Sequence, residues 1–413
     1  MIDLSKIECV GCTACVSICP KDVIRMTYNE EGFQYPIVFN PTSCIECGLC
    51  ENVCPVINNS SEKKRVDIAY IGQNTDEVIR RESASGGFFS AIAISVLRNK
   101  GVVYGAAYDK EFEVRHVAIR DEGDLWKLRN SKYVQSNLNG VFKDVEKNLK
   151  AGLQVCFSGT PCQIEGLKCY LRKDYENLLL VDVVCHGVSS PLIWHKYIET
   201  IQHFSPKHIY FRWKHYGYKY STMSIFDDSN NEVYFAGVES DKMLRAYFSN
   251  NCDRETCYNC KFKKRYRISD ITMWDCFQPR LYNKSFDDDL GTSCILINSE
   301  KGKEQFDKIT KSDLLRCYCV DADELTKGNN EMIASVRRGN LRSKILVDAS
   351  KMSADKFFAQ YFPDSSTQKI KRILRLLLIK SGLYPYTKYV IYAVRRKVSV
   401  KYNVSIQLIS EMI

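Results

Sequence analysis

The chain has 413 residues, nineteen of them cysteine, with 45% hydrophobic and 26% charged residues and a formal charge of +10. That apolar content excludes a disordered or fibrous chain and allows two or three domains with cores of their own. A secreted disulfide scaffold would be shorter and would follow a signal peptide, but Cys9 stands where the signal's apolar core would lie, so the cysteines read as metal ligands of a cytoplasmic protein.

The first 60 residues carry three Lys/Arg against seven Asp/Glu. Within them Cys9, Cys12, Cys15 and Cys19 form the run C-x2-C-x2-C-x3-C before Pro20, and Cys44, Cys47, Cys50 and Cys54 repeat it before Pro55. In such a run three thiolates wrap one iron-sulfur cube, and the following turn carries the fourth to the other cube. One 4Fe-4S cluster is then expected on Cys9, Cys12, Cys15 and Cys54, and a second on Cys44, Cys47, Cys50 and Cys19. Gly11, Ala14 and Gly48 suit a backbone that approaches sulfide closely. Zinc knuckles are the alternative, and they match the doubled rhythm and the prolines poorly. Residues 1–57 resemble a bacterial two-cluster ferredoxin, an α+β ferredoxin-like domain, and the polar stretch 58–65 reads as a linker.

Beyond it, strand-like and helix-like stretches alternate over 67–72, 87–98, 102–108, 114–120, 141–149, 154–157, 164–172, 178–184, 192–202 and 208–213. This predicts an α/β domain with a mostly parallel or mixed sheet over 66–345. Three loops stand at ends of these elements. Ser83-Ala84-Ser85-Gly86-Gly87 leads into a helix, where free N–H groups and hydroxyls suit a pyrophosphate or simply cap the helix. Asn130-Ser131-Lys132-Tyr133-Val134-Gln135-Ser136 is the second. In the third, Phe157-Ser158-Gly159-Thr160-Pro161-Cys162-Gln163, a strand turns and delivers Cys162 to the first turn of a helix, where the dipole favours a thiolate.

Val184-Cys185-His186-Gly187 ends another strand, and Cys257-Tyr258-Asn259-Cys260 is a C-x2-C knuckle whose missing ligands come from afar. Cys162, Cys185 and Cys252 are the candidates, for a third cluster or for zinc. Cys294, Cys317 and Cys319 close no ligand spacing and read as structural.

The succession Ser-Ala-Ser-Gly-Gly, Ser-Lys-Tyr-Val-Gln-Ser, Ser-Gly-Thr-Pro-Cys-Gln-Ile, Cys-His-Gly-Val, Cys-Tyr-Asn-Cys and Asp270-Ile271-Thr272-Met273 resembles the coenzyme F420 hydrogenase/dehydrogenase beta-subunit family over about residues 1–345. The resemblance implies an iron-sulfur flavoprotein oxidoreductase that binds FAD and passes electrons between clusters and a two-electron partner such as a deazaflavin. It places Ser85, Gly86, Gly87, Ser131, Lys132, Tyr133, Thr160 and Gln163 at the flavin, and Cys162, Cys185, Cys257 and Cys260 at a third 4Fe-4S cluster, with Cys252 in reserve. Relatives often carry a Gly-Asp-Phe-Trp-like sequence where this chain has Trp274-Asp275-Cys276-Phe277, so a deazaflavin site does not transfer directly. Asp275 keeps the acidic position, to bind substrate or to close a turn. His186, beside Cys185, is either a proton donor or a hydrogen-bonded core imidazole.

Residues 364–413 carry ten Lys/Arg against two Asp/Glu, leaving +2 for everything before them, so no basic face for nucleic acid is expected. From Thr367 a helical pattern puts Ile370, Ile373, Leu374, Leu377 and Leu378 on one face beside Lys371, Arg372 and Arg375, and a second aromatic and basic stretch spans Tyr386 to Lys397. The segment 346–413 is thus a basic amphipathic helical tail, either lying on an anionic membrane at its inner face or packing on protein. No run is apolar enough to span a bilayer.

The expected partners are ferredoxin or another redox protein and a small-molecule two-electron substrate, with FAD converting between one- and two-electron steps. Two rivals stand beside this reading: a non-catalytic electron-transfer subunit docked to a separate enzyme, and, from bacterial relatives, a reductase in polysaccharide biosynthesis.

Overall fold

The computed structural model describes residues 8–390 apart from 328, 385, 388 and 389. The cysteine-rich start holds two short helices, α1 (Ala14–Ile18) and α2 (Leu49–Asn52), around an antiparallel hairpin of β1 (Ile24–Tyr28) and β2 (Gln34–Val38).

Next in the chain come β3 (Ile68–Asn74), α3 (Glu77–Glu82), α4 (Phe88–Arg98), β4 (Val102–Tyr108), β5 (Val114–Ile119), α5 (Val141–Lys150), β6 (Val155–Gly159), α6 (Pro161–Leu171), β7 (Leu178–Val183) and α7 (Pro191–Ile201). After β8 (His208–Trp213), β9 (Thr222–Phe226), β10 (Glu232–Ala236) and α8 (Lys242–Phe248), the chain returns through β11 (Ile271–Asp275) and β12 (Ser293–Ile297). It then runs through α9 (Glu300–Lys311), β13 (Leu315–Val320), α10 (Ala322–Thr326), α11 (Asn330–Ile333), α12 (Arg342–Lys351), α13 (Ala354–Tyr361) and α14 (Ser366–Lys380).

The body is a mixed eight-stranded sheet in the order β13-β3-β12-β11-β7-β6-β4-β5. Its centre, β11, β7, β6 and β4, is parallel, while β12 and β5 run antiparallel to their inner neighbours. Parallel strands covered on both faces read as continuous apolar runs, and Leu178-Leu179-Leu180-Val181 is one. The pleat divides it between two layers. Leu179 and Val181 join Cys156, Val103 and α4 on one face, whereas Leu178 and Leu180 join Val155, Phe157 and α5 and α6 on the other.

A second, three-stranded antiparallel sheet, β10-β9-β8, packs with α7, α8, α12 and α13 around Trp194, Phe211, Met223 and Phe357. The alternation expected over 102–120 is instead a hairpin of β4 and β5. The part of 346–413 that is described is divided: Leu346, Ala349, Phe357, Phe358 and Phe362 belong to this core and α14 lies outside it, while most of the second stretch expected over Tyr386 to Lys397 lies outside the described residues. The polar stretch 58–65 is bonded along its length. Asn58 Nδ2 donates to Glu51 O, Ser60 Oγ to Glu165, and Arg65 Nη2 to Arg267 O and Ser269 O, while Glu62 Oε1 accepts the N–H groups of Arg265 and Tyr266. Among the described residues no helix is long and apolar enough to cross a membrane.

Candidate redox site

Two small cavities open among the N-terminal cysteines. Cys9, Cys12, Cys15 and Cys54 line one with Pro55 and Met26; Cys19, Cys44, Cys47 and Cys50 line the other with Pro20 and Ile24. The fourth cysteine of each run thus faces the three of the other run. No three His, Cys, Asp or Glu side chains among the described residues converge so as to hold a single ion. Cysteines ranged around a space suit a cluster with its own bulk better than one tetrahedral zinc. Burial, with repulsion from neighbouring thiols, pushes Cys12 and Cys15 up, so four thiolates in so small a volume need a cationic core between them.

Helix α6 lies against the first cavity. Thr160 and Pro161 start it, and Gln163 Oε1 accepts the Thr160 N–H at 2.8 Å in a capping box. One turn on, a Cβ added to Gly166 would lie 2.6 Å from Cys12 Cβ and 2.9 Å from its Sγ, so only glycine allows this approach. Cys162, on the same helix face, packs with Cys260 in the apolar cluster that also holds Cys15 and Cys54.

Cys185, after β7, and Cys257, in the short helix Glu255–Asn259, complete a third group: Cys260 repels the thiolates of Cys162 and Cys185, and Cys185 and Cys162 repel that of Cys257. Burial pushes Cys162 up to about 12, with Cys260 and Cys185 adding repulsion, so desolvation outweighs the helix-start field expected to favour its thiolate. Cys252 is not in this group: it is fully buried in the helical core.

A cavity of about 660 Å³ lies at the C-terminal ends of β4, β6, β7 and β11, where an open α/β sheet presents ligands. Its size is that of a cofactor site. Ser85, Gly87, Ser131, Lys132, Tyr133, Thr160, Gln163, Cys185, His186 and Asp275 all reach its wall. Gly86 does not. Its N–H donates to Ser293 Oγ at 3.0 Å and its carbonyl accepts the Asn74 N–H, while an added Cβ would lie 2.4 Å from Gly72 O, so it seats the loop on the sheet from behind.

Lys132 is half-buried, and desolvation of its ammonium lowers its pKa to about 7. Its Nζ donates to the carbonyls of Arg129 and Asn130, and no carboxylate pairs with it among the described residues, so an anionic ligand would relieve a real electrostatic cost. Tyr133 stacks flat on Tyr247 with ring centroids 4.4 Å apart.

His186 has its Nε2 2.8 Å from Asn250 Oδ1, and burial lowers its pKa. The amide oxygen only accepts, so the proton sits on Nε2. Asp275 receives Arg212 Nη1 at 3.1 Å and the Tyr218 hydroxyl at 3.0 Å, which makes it an anchored partner and no simple turn-closer.

Three basic groups escape any reading of spacing. Arg212 comes from β8 of the small sheet, and Lys214 Nζ donates to the carbonyls of Arg80, Ser85 and Leu290, tying that sheet to the Ser-Gly-Gly loop. His116 on β5 bridges Ser136 Oγ (2.6 Å, Nδ1) and Ser158 O (2.9 Å, Nε2), and burial lowers its pKa to about 4, so a neutral Nε2–H imidazole joins the second loop to the third. Only the strands that carry Arg212 and His116, and the end of the strand before Lys214, were visible in sequence.

Of the remaining cysteines, Cys294 is buried beside Cys276, Cys317 is half-buried and Cys319 is exposed on β13.

Comparison with known proteins matches these regions in order. Residues 8–58 match a 4Fe-4S dicluster domain. Residues 69–143 match the N-terminal part, and 152–321 the C-terminal part, of the beta subunit of coenzyme F420 hydrogenase/dehydrogenase, together more than half of the chain. An F(420)H(2) dehydrogenase subunit of Methanosarcina mazei is 21% identical over 189 residues, 42% of this chain and 51% of that one, so the match spans about half the relative's length. A ketoisovalerate oxidoreductase subunit of Methanothermobacter marburgensis is 35% identical over 57 residues, 13% of this chain and 71% of that one. Among solved structures, a chain of the F420-reducing [NiFe] hydrogenase complex from Methanosarcina barkeri is similar with a TM-score of 0.44 and 17% identity, covering 72% of this chain and 91% of that one.

Proposed function

Because the chain belongs to the coenzyme F420 hydrogenase/dehydrogenase beta-subunit family and carries a 4Fe-4S dicluster domain, we propose that it is an iron-sulfur flavoprotein oxidoreductase linking one-electron carriers to a two-electron substrate. When bound, the clusters supply single-electron steps and FAD the conversion to a two-electron step.

The observation that carries this reading is the order of the sites in space. The cavity of Cys9, Cys12, Cys15 and Cys54 shares an apolar cluster with Cys162 and Cys260, and Cys185 of that third group is itself on the wall of the large cavity. We assign the two N-terminal clusters to the two sets of four cysteines that share a cavity, and a third 4Fe-4S cluster to Cys162, Cys185, Cys257 and Cys260. FAD is assigned to the large cavity. There Ser85, Ser131 and Thr160 offer hydroxyls, Lys132 a half-buried cation and Tyr133 with Tyr247 an aromatic floor, while Gly86 and Gly87 set the loop. His186 and Asp275 stand on the same wall, the first as a proton-holding group, the second to orient substrate through Arg212 and Tyr218.

The partners are ferredoxin or another redox protein at the cysteine-rich end and a small two-electron substrate at the cavity. Thiols in this number call for a reducing compartment, and the cytoplasm is the one this reading takes.

The test is anaerobic purification of the full chain with iron, sulfide and flavin assays. About twelve iron atoms, three clusters of four, and one FAD are expected per chain. Iron without flavin, even after incubation with excess FAD, would leave the electron-transfer subunit as the function.

A further inference from the structure

Helix α14 presents two different faces. Ser365 caps it, with Gln368 completing a capping box, so the helix begins at a defined residue. On its inner side Arg375 pairs with Glu239 and lies 5.3 Å over the ring of Tyr220, which also meets Tyr384 edge-on. Leu378 and Ile379 turn the same way and are half-buried. These contacts fix the roll of the helix on the body.

The opposite side holds Ile370, Ile373, Leu374 and Leu377, at i, i+3, i+4 and i+7, each between 55% and 58% exposed. Leu383, Tyr386 and Val390 extend the exposed apolar surface beyond the helix. Lys369 and Lys380 flank the stripe on one side and Lys371 on the other, all three exposed.

We propose that this face docks on an anionic lipid surface, with the helix lying in the plane of the headgroups. An apolar stripe about two helix turns long, bordered on both sides by lysines, matches a layer that is apolar below and negatively charged above. A protein groove would cover the stripe and has no general need for cations on both flanks. The charge of residues 364–413, ten basic against two acidic, is complementary to such a layer over the whole segment. Because Arg375 and Tyr384 hold the other face to the body, docking needs no release of the tail. Packing on its own domain and facing a membrane, alternatives in sequence, are satisfied by opposite sides of one helix.

The test uses the purified full chain with vesicles of phosphatidylcholine alone and of phosphatidylcholine with phosphatidylserine, read by co-sedimentation. Binding is expected only to the anionic vesicles, and is to be released by salt. Neutralising Lys369, Lys371 or Lys380 to Gln should weaken it about fivefold per charge. The double change Leu374→Glu with Leu377→Glu should abolish it, and as both side chains are exposed the iron content should stay unchanged. Equal binding to both vesicle types, or none to either, would overturn the proposal. So would a self-association in solution that the double change abolishes, since the stripe would then be covered by a second copy.

Discussion

The Arg254 guanidinium donates from Nε to the backbone carbonyl of Cys9 at 2.9 Å, although 245 residues separate them. Its Nη1 reaches Gln34 O and Gln135 Oε1, and the guanidinium lies 4.0 Å over the ring of Tyr35. The same residue begins the turn that carries Cys257. One buried cation therefore joins the first cysteine cavity to the third cysteine group. Arg254→Met should cost about 3 kcal/mol by stranding buried acceptors, read by denaturant unfolding, and should move the cluster midpoint potentials negative in a redox titration. Arg254→Lys keeps the charge, so it should lose stability with a smaller change in potential. Unchanged potentials in Arg254→Met would show the contact to be mechanical alone.

Crossed ligation makes a sharp demand on double variants. Cys9 and Cys54 share a cavity, so Cys9→Ser with Cys54→Ser should lose one cluster, about four irons, no more than either single change. Cys9→Ser with Cys19→Ser should lose both N-terminal clusters, about eight irons. The reverse pattern of iron content would mean that each run holds its own cluster.

Lys132 predicts a slope of stability with pH. Its folded pKa is about 7 against an ordinary 10.5, so between those values the unfolded chain binds more protons than the folded one. Stability of the ligand-free protein should therefore rise as pH climbs from about 7 towards 10.5, the penalty being fully present below 7. Lys214 is shifted the same way, also to about 7, so Lys132→Met should reduce the slope without removing it. If an anion binds beside Lys132, FAD uptake near pH 8 should take up a proton. Calorimetry in buffers of different ionisation enthalpy reads that proton, and Lys132→Met should abolish it.

Asp275→Asn separates orientation from proton transfer. Arg212 is buried, and losing its partner should cost about 3 kcal/mol in chemical denaturation. An orienting role predicts a raised KM with kcat less affected and no loss of a pH-dependent limb. Disappearance of such a limb would make Asp275 the proton carrier instead.

The cysteine groupings around the two N-terminal cavities were legible because cluster spacing is local: thiolates three positions apart need no knowledge of the rest of the chain. The cavity loops were legible for a related reason, since turn chemistry at Thr160-Pro161 or Ser85-Gly86-Gly87 marks where a strand ends. What sequence could not show was arrangement. Arg212, Lys214, His116 and Arg254 act through partners tens to hundreds of residues away, and nothing in their own neighbourhoods sets them apart. That the Gly86 amide is bonded to Ser293 was equally out of reach, because a Ser-Gly-Gly turn looks the same whether its amides face a ligand or the protein. The boundary at 346 fell within the core for the opposite reason, as α12 and α13 carry enough charge on their outer faces to read as a tail.

The bonded stretch from Asn58 to Arg65 bears on kinetics. Carriers on free tethers deliver by swinging, so their rate falls as the solvent thickens. Here the segment after the second cysteine run is stitched to Glu165 and to the Arg265–Ser269 strip, and Gly166 lets α6 press on Cys12. With clusters held as proposed, transfer from the first cysteine cavity to the third group has no diffusional leg. Its rate should be indifferent to glycerol and to protein dilution, leaving encounters with the outside donor and with the small substrate as the viscous steps.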